Sequence, residues 1–432
     1  MQFAPPQSQE ASSVSSLLHN VPLPRLMPVA QSFDSPRVED LEAELIRLLR
    51  GSGCLDKLKT GQSIAVTAGS RGITGLPLTI RTVVRMVKET GAVPFIVPSM
   101  GSHGGATAEG QVKLLKGLGI DEDTVEAPIR SSMETEVIGT TPTGLPVYMD
   151  KYAAGADGII AINRIKPHTG FRGPVESGVI KMLSIGLGKQ RGAELCHNLG
   201  FGHMAANVPA LARVMLANRN IVCGVALIEN SLHETALVEV LLPENMIERE
   251  EALLKEAFRL MPKLFFDSLD VLIIDEIGKD ISGTGFDSNV VGRYNSPYAY
   301  GGPEITRVAT LDVTDKSKGN GNGIGMADFT TRRAFDKFVP EQTYPNSLTS
   351  TIPLTVKMPM VLANDREAIQ AAVKTCNVEL LEAVRLVRIK NTLELNRIYV
   401  SEALAEYCRK HPSLRVEGDP APLAFNAAGN LW

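Results

Sequence analysis

Two histidines lie in glycine-containing loops that follow apolar stretches of the sequence. His103 lies in GSHGG at 101–105, after VPFIVPS, and His168 lies in KPHTG, after DGIIAINRI. Imidazole titrates near neutral pH, so a pair of such rings can take a proton and give one back at working pH. A single loop histidine more often caps the helix that follows it. The pair indicates general acid–base chemistry, with the capping alternative left open.

A lysine and a third histidine follow in the same part of the chain. Lys181 lies in VIKMLS, and in a helix its own face would carry only small residues: Ser177, Ser184 and Gly188. A lysine withdrawn from water loses its proton more readily and becomes a nucleophile or an attachment point. The alternative is a lysine whose head group reaches solvent from an amphipathic helix. His197 follows 16 residues later, without an HExxH motif, so zinc hydrolysis is disfavoured and a single metal-binding imidazole is left open.

Positive charge is concentrated around these residues. Between positions 164 and 191 there is one acidic residue, Glu176, against six basic ones: Arg164, Lys166, Arg172, Lys181, Lys189 and Arg191. Such a segment is typical either of a pocket for phosphate or carboxylate groups or of a solvated surface. We expect the pocket, because Lys181 is flanked by apolar residues.

The elements that must position these residues follow an α/β pattern. Short apolar stretches at 63–69, 93–99 and 157–165 alternate with amphipathic helical segments, which predicts a mostly parallel, Rossmann-like sheet. Ser70 and Arg71 follow the first stretch, as the two histidines follow the next two. Loops at the carboxyl ends of parallel strands converge, so all of these side chains are expected to face one crevice.

The length of 432 residues predicts more than one domain. The strand pattern restarts at LDVLIIDEIG (269–278) and VATLDVT (308–314). We therefore expect a flexible tail over 1–20, an α/β domain over 21–266 with the cofactor and the catalytic histidines, and a second α/β domain over 267–432 that contributes to the substrate cleft between the two. Residues 365–408 are rich in helix formers and are expected to cover one face of the second domain or to pack back on the first.

Composition excludes several classes of protein. Lys and Arg number 44 against 48 Asp and Glu, which argues against a nucleic-acid-binding protein. Five scattered cysteines favour a reducing compartment, and no segment has the apolar length of a transmembrane helix. A cytoplasmic protein without nucleic-acid or membrane partners is expected.

Taken together, the histidine loops, the apolar-flanked lysine and the histidine 16 residues beyond it resemble the lactate racemase family of nickel-pincer-nucleotide-dependent 2-hydroxyacid racemases and epimerases. The resemblance implies a nickel-pincer nucleotide covalently tethered at Lys181, with His197 as a nickel ligand and Ser70 and Arg71 as further cofactor contacts. It also implies that His103 and His168 act in turn as acid and base while hydride leaves and returns to C2. The expected partners are a small 2-hydroxy acid and the enzymes that build the cofactor, and a homo-oligomer is left open.

Three positions depart from the family pattern. Ala68 stands where lactate racemase has an aspartate. The resemblance also implies a lysine in the second domain that contacts the substrate carboxylate. Lys279 and Arg293 are the candidates for this contact, together with Arg71 of the first domain, but neither Lys279 nor Arg293 aligns with the family lysine. These departures favour a substrate larger or more polar than lactate, such as a sugar acid.

Two other functions compete with this interpretation. A nucleotide-dependent dehydrogenase or phosphotransferase would need GxGxxG or GxxxxGK[ST] after the first strand, and neither motif is there. A non-catalytic nickel or cofactor carrier would need Lys181 and His197 but not both loop histidines. The presence of both His103 and His168 favours an isomerase.

Overall fold

The computed structural model describes residues 13–432. The strands are β1 (Leu26–Gln31), β2 (Ser63–Ala68), β3 (Val93–Pro98), β4 (Thr135–Thr140), β5 (Pro146–Asp150), β6 (Gly158–Arg164), β7 (Ile221–Glu229), β8 (Thr235–Leu241), β9 (Ser268–Ile277), β10 (Glu304–Val313), β11 (Phe329–Thr331), β12 (Met360–Leu362), β13 (Leu386–Ile389), β14 (Arg397–Ser401) and β15 (Leu414–Val416). The helices are α1 (Ser13–Leu18), α2 (Leu41–Ser52), α3 (Leu76–Glu89), α4 (Ala108–Gly117), α5 (Glu122–Val125), α6 (Lys151–Ala154), α7 (Val179–Lys181), α8 (Lys189–Asn198), α9 (Met204–Asn218), α10 (Met246–Leu260), α11 (Ser288–Val291), α12 (Arg332–Asp336), α13 (Pro340–Ser350), α14 (Asp365–Thr375) and α15 (Ala405–Lys410).

The fold has two large sheets, and β4 and β5 pair separately as an antiparallel two-stranded sheet. The smaller of the two large sheets has the order β3-β2-β6-β7-β8 and is parallel except for β8. In β2, Val66 pairs with Ile96 of β3 on one side and with Ile160 of β6 on the other. The parallel strands are mostly apolar because separate hydrophobic clusters cover the two faces of the sheet. The predicted α/β class and the three predicted strands before position 166 are confirmed.

The larger sheet has the order β12-β11-β10-β9-β13-β14-β1-β15. It is parallel from β12 to β13 and antiparallel among β14, β1 and β15. Its strand β1 comes from the N-terminal part of the chain. The domain boundary expected at 21 places residues 26–31 with the smaller sheet, but the structure places them in the larger one. The division of the chain at 266 and 267 stays a prediction.

Two expectations about local structure need correction. Residues 365–408 are not a continuous helical cover, because α14 ends at Thr375 and the β-branched stretches at 386–389 and 397–401 pair in the larger sheet. The expected tail over 1–20 is ordered from Ser13, where α1 buries Leu18 against the larger sheet's apolar cluster. Residues 1–12 lie outside the described part of the chain.

No helix between residues 13 and 432 has both the length and the apolar character needed to cross a membrane.

A buried carboxyl group supports the turn that precedes Lys181. Glu250 on α10 is 1% exposed, and its Oε2 accepts a hydrogen bond from the backbone N–H of Ile180 at 3.0 Å. A β-carbon on Gly178 would lie 2.5 Å from this carboxyl group, so a larger residue at 178 would displace the Glu250 side chain. Burial raises the pKa of Glu250 to about 7, although the N–H groups of Ile180 and Val179 act to lower it.

This pKa predicts a pH-dependent effect of Glu250→Gln on stability. Between the unfolded value of 4.5 and about 7 the folded protein holds a proton that the unfolded chain has lost, so the wild type loses stability as pH rises through that window. From pH 5 to pH 8 the variant should gain on the order of 3 kcal/mol relative to the wild type in urea unfolding. Glu248→Gln, which removes an exposed carboxylate from the same helix, is the control. An equal stability difference at both pH values would contradict the prediction.

Candidate active site

The predicted crevice forms at the carboxyl ends of β2, β3 and β6. Ser70 follows β2, His103 follows β3, and a hydrogen bond joins Ser70 Oγ to His103 Nδ1. Because this bond occupies Nδ1, Nε2 is the ring nitrogen left for proton transfer. The structure therefore brings together two of the predicted residues that are 33 positions apart in the chain.

The electrostatic surroundings keep His103 neutral. Withdrawal from water lowers the pKa of His103 to about 3, and the positive charges of Arg71, Lys279 and Lys181 add to this effect. His197 acts in the same direction. An imidazole without its second proton is a proton acceptor at neutral pH. This ring therefore has the protonation state that a general base requires.

His168 is held by the loop that carries it. Its backbone N–H donates to Glu176 Oε2 at 2.6 Å, its Nδ1 accepts from the N–H of Gly170 at 3.0 Å, and its ring lies 4.6 Å from that of Phe171. Burial lowers the pKa of His168 well below the ordinary value, and Lys181 is the next cause. Its neutral form therefore carries the proton on Nε2, because Nδ1 accepts a hydrogen bond.

Lys181 ends α7, and a buried π-helical turn, Met182–Gly186, follows it. Turns of this type are frequent at functional sites. Among residues 13–432, no hydrogen-bond or ion-pair partner is found for Nζ of Lys181. Burial and the nearby Arg71 lower the pKa of Lys181 to about 8, against the opposing effects of Cys196 and Glu176. A sizeable fraction of this amine is consequently unprotonated near neutral pH.

His197 lies on α8 with its ring 5.7 Å from the ring of Phe201. Its Nδ1 is buried and has no hydrogen-bond partner in the described part of the chain. Burial, followed by the charge of Lys181, lowers the pKa of His197 to about 4. A neutral imidazole with an unpaired buried nitrogen is suited to bind a metal. Residues 13–432 contain no group of three or more His, Cys, Asp or Glu side chains that could hold a metal without another ligand source.

The second part of the chain contributes Lys279 to the crevice. Lys279 Nζ donates to the carbonyl of Gly283 at 2.8 Å, and a β-carbon on Gly283 would lie 3.1 Å from Nη2 of Arg71. The two cations therefore meet at the backbone of Gly283. Burial and, after it, Arg71 lower the pKa of Lys279 to about 7.

Arg293, the other candidate from this part of the chain, is engaged elsewhere. Its Nη2 pairs with Asp328 at 2.7 Å and donates to the carbonyl of Thr306 at 3.0 Å. These contacts tie together the loop after α11 and the β10–β11 region. Its position does not support the expected contact with a substrate carboxylate.

The basic segment over 164–191 is not an open anion pocket. Four of its six cations have carboxylate partners: Arg164 with Glu229, Lys166 with Asp287 at 2.7 Å, Arg172 with Glu176 at 3.2 Å and Lys189 with Asp150 at 3.4 Å. Among the described residues, the cations that act on His103 without a carboxylate partner of their own are Lys181 from this segment and Arg71 and Lys279 from outside it. The expectation failed because most of the neutralising carboxylates lie outside the segment.

Sequence reasoning also missed the residues that attach the His168 loop to the second part of the chain. Arg172 donates to the carbonyl of His168 at 2.7 Å, to the hydroxyl of Tyr294 at 2.9 Å and to Oδ1 of Asn289. Asp287, in the same segment as Asn289, binds Lys166. No local pattern indicates these contacts, since Arg172 and Asn289 are 117 positions apart.

Comparison with known proteins locates the similarity. Residues 16–207 match the family model described as the lactate racemase N-terminal domain. No curated protein matches the chain. A similar solved structure is the lactate racemase apoprotein from Thermoanaerobacterium thermosaccharolyticum, at 16% sequence identity and a TM-score of 0.46, over 82% of this chain and 90% of that one. The predicted resemblance is thus confirmed over residues 16–207, the stretch that matches this family model and that contains Ser70, Arg71, His103, His168, Lys181 and His197.

Proposed function

We propose that this protein is an isomerase, a racemase or epimerase that inverts C2 of a 2-hydroxy acid with the help of a nickel-pincer nucleotide. The observation that carries the proposal concerns two side chains that have no hydrogen-bond partner among residues 13–432: the amine of Lys181 and the buried Nδ1 of His197, which lie beside two neutral histidines. The match to the lactate racemase N-terminal domain supports the reaction class.

The residues fit the cofactor that the family implies. Lys181, with a pKa of about 8, provides an amine for covalent attachment, and His197 has a buried ring nitrogen, unpaired within the described part of the chain, that could serve a metal. Nickel accepts imidazole beside sulfur donors, so one protein ligand is enough if the cofactor supplies the others. Ser70 and Arg71 line the same crevice as further contacts. When bound, the cofactor supplies a hydride acceptor.

The chain's own groups account for the proton transfers. Loss of hydride from a carbinol carbon is favourable only if the hydroxyl proton leaves as well, so each enantiomer needs a base near its hydroxyl oxygen. His103 can take that proton for one enantiomer on Nε2 when its Nδ1–H donates to Ser70 Oγ. His168 can serve the other enantiomer in the tautomer that carries its proton on Nδ1, which frees Nε2 and gives up the hydrogen bond from Gly170 N–H. Arg71 and Lys279 meet at Gly283 and can bind the substrate carboxylate.

The proposed substrate is larger or more polar than lactate, such as a sugar acid. Ala68 is fully buried at the end of β2, so the position of the family's aspartate offers no polar contact here. The proposed setting is the cytoplasm, which agrees with five buried free thiols. Cofactor-building enzymes are the proposed partners of the newly made chain.

The direct test is intact-mass and nickel analysis of protein made with the cofactor-synthesis enzymes co-expressed. The wild type should carry a nucleotide-sized adduct and stoichiometric nickel, Lys181→Ala should carry neither, and His197→Ala should lose the nickel. Lys113→Ala, an exposed lysine on α4, is the control and should behave as the wild type. An unmodified wild type despite confirmed cofactor synthesis, or an adduct that survives in Lys181→Ala, would refute the proposal.

The amine of Lys181 should also react at lower pH than an exposed lysine. In protein made without the cofactor-synthesis enzymes, acylation of Lys181 should reach half its maximal rate near pH 8, because its pKa is lowered to about 8 and the free amine is the nucleophile. Peptide mass spectrometry gives the pH profile, with Lys113 in the same digest as the reference. Superimposable profiles for the two lysines would contradict the lowered pKa.

Removing either catalytic histidine separates an isomerase from a cofactor carrier. His103→Ala and His168→Ala should retain the adduct and nickel but lose about 10²- to 10⁴-fold in kcat, measured by polarimetry on a panel of 2-hydroxy acids. His19→Ala, which alters a histidine on the surface loop after α1, should be unaffected. Full activity in both loop variants would exclude the proposed acid–base roles.

A further inference from the structure

A buried polar network lies beneath the loop that carries His103. Lys189 is completely buried, and its Nζ donates to the carbonyl of Pro98 at 2.7 Å and to Oε1 of Gln111 at 2.7 Å. Asp150, also completely buried, lies 3.4 Å from the same Nζ. Burial lowers the pKa of Lys189 and raises that of Asp150. The network therefore holds two charged groups at a cost in desolvation.

Gln111 connects this network to both ends of the His103 segment. Its Nε2 donates to the carbonyl of Gly101 at 2.9 Å and to that of His103 at 3.2 Å. The orientation of the amide is determined by its neighbours. Lys189 can only donate, so it requires Oε1, and the two carbonyls can only accept, so they require Nε2.

The loop itself has little intrinsic preference for its conformation. Gly101, Gly104 and Gly105 adopt φ values of +60°, +70° and +68°, in the left-handed region that glycine enters easily and leaves as easily. A β-carbon on Gly104 would lie 2.7 Å from the backbone nitrogen of Gln111, so the loop packs directly on α4. A segment of this kind needs contacts from outside to hold one geometry.

Stability alone does not account for the network. A buried ion pair seldom stabilises a fold more than apolar residues of the same volume would. Here the cation reaches the end of β3 at Pro98, and the amide that it orients holds the backbone of His103 itself. The contacts of Lys189 and Gln111 therefore hold the loop that carries His103 in one place.

We propose that Gln111, oriented by Lys189, is a positioning residue that fixes the backbone of the His103 loop and thereby the place of the imidazole in the crevice. The catalytic consequence rests on the proposed function, whereas the effect on the loop does not. Small displacements of a reacting group can cost as much as 10²-fold in rate.

Two substitutions test the inference on the full-length protein. Gln111→Glu keeps an oxygen for Lys189 but loses both donations to the loop, and Gln111→Leu loses all three contacts. Gln370→Leu is the matched control, since Gln370 is also buried and donates from Nε2 to the carbonyl of Val21 at 2.9 Å, far from the crevice. Hydrogen exchange of the 99–106 peptide reports on the loop without any cofactor.

Both Gln111 variants should exchange the amides of 99–106 at least about tenfold faster than the wild type, and in cofactor-loaded protein kcat should fall about 10- to 100-fold with little change in KM. Gln370→Leu should leave both quantities unchanged. If Gln111→Leu does not fold, the exchange rate and kcat of Gln111→Glu alone test the inference. Unchanged loop exchange in Gln111→Glu, or faster exchange with unchanged kcat, would overturn the inference. Activity that survives His103→Ala would instead refute the proposed function, leaving the exchange result intact.

Discussion

The candidate site depends on the position of β2 within its sheet. This strand is hydrogen-bonded to β3 on one side and to β6 on the other. Parallel pairing aligns the carboxyl ends of the three strands, and the loops that follow them then share one edge of the sheet. Ser70 reaches His103 because of this alignment. Two apolar clusters cover the faces of the sheet and leave that edge as the place where polar groups meet.

Charge in the crevice follows from what the fold neutralises elsewhere. Most cations of the basic segment are paired with carboxylates, whereas Arg71, Lys181 and Lys279 remain close to one another without such partners in the described residues. Burial, and after it repulsion by Arg71, lowers the pKa of Lys181 to about 8 and that of Lys279 to about 7. Burial, and after it the charges of these cations, keeps the neighbouring imidazoles neutral. An anionic ligand would relieve this repulsion, which gives the site an electrostatic preference for carboxylate and phosphate groups.

The loops of His103 and His168 are held in place by residues from different parts of the chain. The loop of His103 rests on Gln111 and Lys189, which lie close to the smaller sheet. In the loop of His168, Arg172 donates a hydrogen bond to the carbonyl of His168, and its guanidinium also binds Asn289 and Tyr294, which follow β9. The position of His168 therefore depends on how the two parts of the chain pack, and that of His103 depends on a buried network within one of them.

Much of this site was predictable because its signals are local. Apolar stretches of strand length, glycine loops directly after them and the apolar neighbours of Lys181 are properties of short windows, and they indicated the α/β class, the shared crevice and a desolvated lysine. The match over residues 16–207 agrees with the family that these residues suggested. A hydrophobic period fixes an element and its buried face without knowledge of the partner.

What only the tertiary structure decided is the identity of distant partners. Arg164 and Glu229 are 65 positions apart, and Lys189 and Gln111 are 78 apart, so no local window shows that either cation is satisfied. For the same reason the sequence did not indicate that β1 pairs in the larger sheet, or that Arg293 binds Asp328 instead of lining the crevice. The sequence by itself determined the elements and the chemistry of their loops. Packing alone determined which charges stay free, because ion pairs and sheet edges form between residues that only the folded chain brings into contact.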